Sequence, residues 1–299
     1  MSKMATISQA RKKDRWFCIL MLLYPLLQFA IFYIYINISS FALAFQTNVG
    51  SPLFDNGLNN FIEVIRDLGT DMRLQYSVRN SFICYGVGLA IGTPLGLIFS
   101  FFIYKKVWGY KFFRVILFMP SIISSVVLVL IFKYFANNVV STLLFDGVKL
   151  LDNPDTVFWT VLFYNIFIGF GPSTLMYTST MSGINESVVE SAQLDGISFF
   201  GEFWHICLPM IYPTIVTFLV AGIATIFTNQ MEIFNFFGQY PAYDHVYTLG
   251  FYMYRGTVLS STGDQFPYLS ALGMLMTIVA APVTLLAKYL LEKLGPSDT

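Results

Sequence analysis

Charged residues are scarce in this chain of 299 residues, at 11%, whereas an average soluble domain carries about 25%. Hydrophobic residues make up 56%, and the mean hydropathy is +0.65. The 17 basic and 17 acidic residues cancel, so the chain has no net field that would attract nucleic acid. These shortages argue against an ordinary soluble domain and against a nucleic-acid-binding protein.

Cysteine and histidine are also rare. The three cysteines, Cys18, Cys84 and Cys207, are scattered and suggest no disulfide framework. His205 and His245 are too far apart in the sequence for a zinc site built on histidines at helical spacing. No Gly-Lys dipeptide occurs, so the chain lacks the phosphate-binding motif with which many ATPases hold ATP. No pattern supports a membrane-embedded enzyme, and we expect no cofactor and no metal.

Long stretches without any Asp, Glu, Lys or Arg are what the chain has instead. A helix needs about 20 apolar residues to cross the hydrocarbon core of a bilayer, and six stretches satisfy this or come close. The charge-free stretches are 16–54, 80–104, 115–132, 156–185, 203–231 and 265–287. They predict an all-α integral membrane protein with six spans near 17–40, 80–103, 115–136, 158–180, 209–232 and 267–290.

The distribution of Lys and Arg predicts the orientation. Eleven of them fall on the side that holds both termini and six on the other, which places both termini in the cytoplasm. The first apolar run is far longer than the core of a signal peptide, so we interpret it as an uncleaved anchor. The predicted organisation is a cytoplasmic segment 1–16, a spanning domain 17–290 and a cytoplasmic tail 291–299. Span counting alone places the 181–208 loop inside.

The 181–208 loop reads as two short helices with a hinge. Ser187 and Glu190 have the spacing of a capping box, which predicts a helix that begins at Ser187. Gly196 fits the end of that helix, where the backbone turns left-handed. Ser198 can cap the next helix, and Pro209 marks the entry to the fifth span.

The same loop carries four acids, no base and several apolar residues. Its acids, among them Glu202, therefore need water, helix N-termini or a partner's cations. Exposed apolar faces are normally covered, and a partner protein is the obvious candidate. The apolar residues of these faces are Val188, Val189, Ala192, Phe199, Phe200 and Phe203.

Several blocks of this sequence resemble a known family. Glu190-Ser191-Ala192, Gly196 and Ile206-x-Leu208-Pro209 resemble the "EAA" loop of ABC-importer permeases, and Asp195-Gly196 with Phe203 resembles its sugar-importer version. Four further stretches of this sequence resemble stretches of MalF-type permeases. They are residues 57–61 (GLNNF), Asn80-Ser81, 113–120 (FRVILFMP) and 268–273 (YLSALG). Ser191 replaces the usual Ala, and Gln239-Tyr240-Pro241 stands where many members have Gly-Gly-Pro.

The resemblance implies a type I ABC importer permease fold in a bacterial inner or plasma membrane, surrounded by lipid. Such permeases pair with a second, similar permease and with a dimer of ATPase subunits, and an extracellular solute-binding protein delivers the substrate. The loop then acts as a coupling helix in a cleft of the ATPase, and Glu190 meets a basic group there. The alternative for Glu190 is the capping box alone. The implied coupling residues are Glu190, Ser191, Ala192, Asp195, Gly196, Leu208 and Pro209.

Polar residues at membrane depth usually face a pathway or each other. Asn229 and Glu232 are three apart, which places them on one face of a helical fifth span, with Gln230 beside them. The alternative is that Glu232 lies at the outer interface of the membrane and is merely solvated. In the fourth span, Asn165 and a helix break at 169–173, which includes Phe170 and Ser173, are further candidates for the pathway. Tight packing by small residues is the alternative for that stretch.

A short amphipathic helix is predicted outside the membrane, with Phe61, Ile62, Ile65 and Leu68 on one side. The favoured function is a permease for a sugar, most simply an oligosaccharide. A permease of the same machinery for another solute is the first alternative, although mid-span stretches without Lys or Arg argue against an anion. A secondary transporter is the other alternative, but it would commonly need buried carboxylates in several spans, and only Glu232 is available.

Overall fold

The computed structural model describes the backbone of residues 2–296 and the side chains of residues 16–296. Most of the predicted segment 1–16, and residues 297–299 of the predicted tail, lie outside the described side chains. The described residues form helices, turns and loops, with no strand among them. Six helices are long and apolar enough to cross a membrane, numbered here spans 1 to 6: Trp16–Leu43, Met72–Tyr104, Ser125–Leu144, Val157–Met181, Phe199–Ala224 and Phe266–Leu294.

Shorter helices lie between the spans. Outside the spans we number them α1 (Asn59–Thr70), α2 (Tyr110–Phe118), α3 (Glu186–Leu194), α4 (Ile233–Phe237) and α5 (Leu249–Leu259). Span 1 continues a helix whose backbone begins at Ser2, and π-helical turns interrupt spans 1, 2, 3 and 5. The prediction of six spans is confirmed, and spans 1, 4 and 6 lie within a few residues of their predicted bounds.

Spans 2, 3 and 5 differ from their predicted bounds. Span 2 begins at Met72 because the Asp71 side chain caps it by accepting a hydrogen bond from the Arg73 backbone N–H at 2.8 Å. The predicted third span is divided, since Pro120 cannot continue the hydrogen-bonding pattern of α2 and the chain restarts as a helix only at Ser125. The spans were predicted from stretches without charged residues, and that criterion takes no account of proline.

Span 5 begins inside the predicted loop and ends at Ala224, eight residues before its predicted end. Pro209 therefore lies within the span, just after the π-helical turn Phe203–Cys207, and does not mark its entry. At the other end, the Thr225 hydroxyl donates to the carbonyls of Ala221 and Gly222 at 3.1 and 3.2 Å. Such bonds compete with the helical backbone pattern. Asn229 and Glu232 consequently do not lie on one helical face, and that prediction was wrong.

The chain divides into two compact units, residues 1–65 with 260–275 and residues 66–259 with 276–299. In the first unit, the buried Asn60 amide donates to the carbonyls of Ala44 and Gln46, both at 2.9 Å. These bonds tie the start of α1 to the end of span 1. The predicted amphipathic helix is therefore present, but Val64 is buried while Ile62 and Ile65 are exposed.

Two hydrophobic clusters pack the described residues of the second unit. One packs spans 3 and 4 against α4 and α5, with Val129, Tyr164, Phe236 and Phe251 among its buried members. The other joins the ends of spans 2 and 4 to the 181–208 loop through buried Phe101, Tyr177, Met181, Val189, Phe203 and Cys207. That loop is therefore anchored to the spans through its own apolar residues.

Span 4 passes through Pro172 without a break, so the predicted interruption at 169–173 is wrong. Spanning helices tolerate a proline because nearby groups satisfy the backbone group that it leaves free. Gly171 shows instead the close packing that was the alternative, because a Cβ atom there would overlap the carbonyl oxygen of Leu117 in α2. Gly169, two residues earlier, has nothing within 4 Å of its would-be Cβ atom.

We expect Gly171→Ala to destabilise the protein although alanine is the better helix former. Overpacking costs about 1–3 kcal/mol, whereas the gain in helix propensity is about 1 kcal/mol. Gly169→Ala is the matched control and should retain or slightly raise the thermal midpoint. Thermal unfolding of the purified protein, followed by intrinsic fluorescence, measures both. Equal midpoints for the two variants would contradict the close approach of span 4 to α2.

Candidate functional site

Two adjoining cavities lie in the second unit, each of about 250 Å³. Spans 2, 4 and 5 and the non-helical segment 225–232 supply most of their walls. Residues that line both cavities are Cys84, Gly88, Thr93, Phe218, Asn229 and Met231. Among all the described lining residues none carries a charge, while amides, hydroxyls and aromatic rings are present.

Four of the six predicted pathway residues line the cavities. Asn165, Phe170 and Ser173 come from span 4, and Asn229 comes from the segment that follows span 5. Gln230 and Glu232 are not among the lining residues. The structure thus brings together residues from two distant parts of the sequence, and their role in transport stays a prediction.

The non-helical segment is held against span 4 by amide hydrogen bonds. The Asn165 amide donates to the Val161 carbonyl at 2.9 Å and to the Met231 carbonyl at 3.0 Å. The Asn229 side-chain oxygen accepts from the Met231 N–H at 2.9 Å, and the Thr248 hydroxyl donates to the Asn229 carbonyl at 2.8 Å. Met231 itself has a left-handed backbone, with φ of 50°. The two asparagines therefore shape the cavity wall as well as line it.

Glu232 has a local structural partner. It also has a left-handed backbone, with φ of 57°, directly before α4, and its carboxylate accepts a hydrogen bond from the Asn235 amide. At the other end of α4, Lys133 donates to the Phe236 carbonyl at 2.7 Å, as basic side chains near a helix C-terminus commonly do. Glu232 is partly buried, and its place in the pathway stays a prediction.

Span 2 contributes cavity residues that the sequence prediction missed. Thr93 lines both cavities, and its hydroxyl has no hydrogen-bond partner among the described residues. Tyr85 lines one cavity, and its hydroxyl donates to the Leu219 carbonyl of span 5 at 3.1 Å. Hydroxyls within a long charge-free stretch were the available signal, because polar groups at membrane depth are costly without a role.

One end of span 2 is tied to the segment before α5. The buried Asn80 amide donates to the carbonyls of His245 and Tyr247 at 2.7 and 2.8 Å, and the Ser81 hydroxyl accepts from the Leu249 N–H at 3.0 Å. Burial raises the pKa of Tyr247, despite the nearby guanidinium of Arg255. The Asn-Ser pair of the family resemblance therefore has a physical role, which is to fix the chain beside the cavity.

The 181–208 loop contains α3 and the start of span 5 where two short helices were predicted, and α3 has a different cap. Asn185 caps α3, since its side-chain oxygen accepts from both the N–H and the hydroxyl of Ser187, at 3.1 and 3.0 Å. The predicted capping box is wrong, and Glu190 lies exposed in the middle of α3. Gly196 ends the helix with φ of +81°, and the Ser198 hydroxyl caps the next turn by accepting from the Gly201 N–H. Both of those predictions are confirmed.

The apolar surface of this loop differs from the predicted one. Val189 and Phe203 are buried in the protein's own core. Leu194 is 89% exposed, and Val188, Phe200 and Trp204 are also exposed. Of the other predicted coupling residues, Ser191, Asp195 and Gly196 are exposed, whereas Ala192, Leu208 and Pro209 are partly buried.

A buried ion pair holds the loop to span 2. Both carboxylate oxygens of Glu202 accept from the Lys105 ammonium, at 2.9 and 2.8 Å, and the Glu202 side chain is only 3% exposed. The centre of the Phe101 ring lies 4.8 Å from the ring centre of Phe199 and 5.0 Å from that of Phe203. The expectation that the loop's acids find no base within the chain is therefore wrong for Glu202. The loop is thus held to span 2, which also lines the cavities.

Comparisons with known proteins agree with this architecture. The chain superimposes with a TM-score of 0.79 on a chain of a bacterial ABC transporter involved in the import of the acidic polysaccharide alginate, at 24% identity and over 94% of this chain and 97% of that one. The lactose transport system permease protein LacF of Rhizobium radiobacter is 26% identical over 275 residues, 87% of this chain and 89% of LacF.

A probable ABC transporter permease protein of Mycoplasma genitalium, MG188, is 26% identical over 189 residues, which cover 58% of this chain and 57% of MG188. Residues 92–297 match the family described as "Binding-protein-dependent transport system inner membrane component". That match covers more than half of the chain and includes the 181–208 loop, most of the cavity lining and four of the six spans. The chain is therefore a multi-pass membrane protein that belongs to the family of binding-protein-dependent transport system inner membrane components.

Proposed function

We propose that this chain forms the translocation path for a sugar, most simply an oligosaccharide, in an ATP-driven importer. The residues that line the two cavities are the main support for this proposal. It combines amide and hydroxyl groups with aromatic rings and contains no charged residue. Sugars need hydroxyl partners and flat apolar surfaces, whereas an anion would need Arg or Lys. The similarity to LacF, a lactose permease by its name, supports a sugar over another neutral solute.

The partners that we propose are a second, similar permease, a dimer of ATPase subunits and an extracellular solute-binding protein. The family description names dependence on a binding protein. The surface of the 181–208 loop supports the ATPase as a partner, because it exposes apolar side chains together with Glu190 and Asp195. Neither acid has an ion pair within the described chain, so both are available to a partner's cations.

For the same importer we propose that both termini and the 181–208 loop lie in the cytoplasm, as the excess of Lys and Arg on that side indicates. A reporter fused after Leu150 should then report the outside, and one fused after Ser182 the inside. Activity of alkaline phosphatase and fluorescence of a cytoplasmic reporter, measured for both fusions, test this. The opposite pattern at either position would contradict the topology.

We expect Thr93→Val to lower sugar uptake several-fold. Valine keeps the shape of threonine but removes a hydroxyl that faces both cavities and has no partner in the described chain. A lost hydrogen bond to a neutral group is worth about 0.5–1.5 kcal/mol. Thr217→Val is the matched control, because that exposed hydroxyl bonds the Pro213 carbonyl of its own helix. Uptake of radiolabelled sugars at equal membrane abundance is the measurement.

Uptake by Thr93→Val at the level of the control, for every sugar tested, would remove Thr93 from the pathway. If the unmodified protein takes up a non-carbohydrate solute and no sugar, the substrate proposal fails while the family assignment stands.

We expect Glu190→Gln to fold normally and to reduce sharply the ATP hydrolysis that substrate and binding protein stimulate. Because Asn185 caps α3, Glu190 has no capping task to lose. The loss of its charge would remove a contact with a basic group, and breaking such a pair when it is buried costs about 3–5 kcal/mol. Glu186→Gln, an exposed acid at the start of the same helix, is the matched control. ATPase activity of the reconstituted complex measures both, and equal activities would exclude Glu190 from coupling.

A further inference from the structure

A third, apolar groove lies at the Tyr104 end of span 2. Its volume is about 250 Å³, and it is formed between that end of span 2, the turn at Gly109 and the start of α2. Its lining is aromatic and aliphatic throughout, and we name it the aromatic groove. The lining residues are Phe99, Phe102, Ile103, Val107, Trp108, Tyr110 and Phe113.

The aromatic groove is open: Ile103 at its base is buried, while part of its lining is not covered by the rest of the chain. Trp108 is 94% exposed, and Val107 and Phe113 are also exposed. An exposed apolar patch of this kind marks a place where something binds. Because its lining residues lie on both sides of Tyr104, where span 2 ends, the groove lies at the border of the bilayer, where Trp and Tyr are enriched.

Basic residues flank lining residues of the aromatic groove in sequence and have no acidic partners. Lys106, Lys111 and Arg114 are exposed and form no ion pair within the described chain. The neighbouring Lys105, in contrast, is neutralised by Glu202. No Asp or Glu occurs anywhere in residues 72–145. The segment 106–114, which forms part of the groove, therefore carries three uncompensated positive charges.

The bases alternate with lining residues along the chain that forms the groove. The Lys111 ammonium lies 6.0 Å from the ring centre of Tyr110, a groove residue. Lys106 precedes Val107, and Arg114 follows Phe113, so each base neighbours a lining residue in sequence. A ligand that fits both features has an apolar chain and, directly next to it, an anionic group.

We propose that the aromatic groove binds an acyl chain of an anionic phospholipid whose phosphate is held by Lys106, Lys111 and Arg114. Basic pockets beside spanning helices bind anionic head groups, and each nearby base contributes about fivefold to membrane affinity. The bilayer supplies this ligand at the level where the groove lies. An acidic amphipathic segment of a partner protein is the competing occupant, and equal retention of the anionic and the zwitterionic lipid would favour it over the lipid.

The test uses the full-length chain in lipid nanodiscs and detergent, with native mass spectrometry to count retained lipids. We expect phosphatidylglycerol to be retained in preference to phosphatidylcholine of the same acyl composition. The triple variant Lys106→Gln, Lys111→Gln, Arg114→Gln should lose more than tenfold of its phosphatidylglycerol affinity. The matched control, Lys149→Gln, Lys288→Gln, Lys293→Gln, changes the net charge equally at bases outside the groove and should keep the affinity.

Soluble glycerol phosphate, which has the anion but no acyl chain, should not compete with phosphatidylglycerol. The proposal is overturned if both lipids are retained equally, if the control loses as much affinity as the triple variant, or if glycerol phosphate competes fully. Since the three substituted side chains are exposed, unfolding is not expected, and an unchanged thermal midpoint checks this. The result does not depend on the transported solute, so a failed sugar assignment leaves it interpretable.

Discussion

The need to satisfy backbone hydrogen bonds away from water is the constraint on which the rest of this structure depends. In hydrocarbon an unpaired N–H or C=O is so costly that spanning segments are helical, and irregular backbone occurs only where protein or a cavity surrounds it. Residues 225–232 are irregular, and Asn165, Asn229 and Thr248 satisfy three of their backbone groups. The cavities lie beside this segment, where the backbone is not helical.

Span 2 connects the cavities to the 181–208 loop. Its middle supplies Thr93 and Gly88 to the cavity walls, and its end supplies Phe101 and Lys105 to the loop. Replacing a buried ion pair by apolar residues is often neutral or stabilising, whereas removing one partner is strongly destabilising. The Lys105–Glu202 pair is thus best understood as a device that fixes the position of the loop on span 2. Through it, a movement of the loop would reach the cavity walls.

The errors in reading the sequence have physical causes. Charge-free stretches record which residues hydrocarbon tolerates, but they do not record where a helix stops inside that stretch. Pro120 divides the third stretch, and the hydroxyl of Thr225 accompanies the early end of span 5. Asn185 takes the cap that the spacing of Ser187 and Glu190 had suggested. Each error concerns competition between local hydrogen bonds, which depends on geometry more than on residue type.

The sequence by itself determined the membrane character, the number of spans, the left-handed turn at Gly196 and the family resemblance. These follow from composition and local conformational preference, which need no knowledge of distant contacts. Tertiary structure alone decided that Asn165 would meet Met231, that Thr93 would face the cavities, and that Lys105 would neutralise Glu202 across 97 residues of chain. Such contacts depend on how helices far apart in the sequence pack, and no local pattern carries that information.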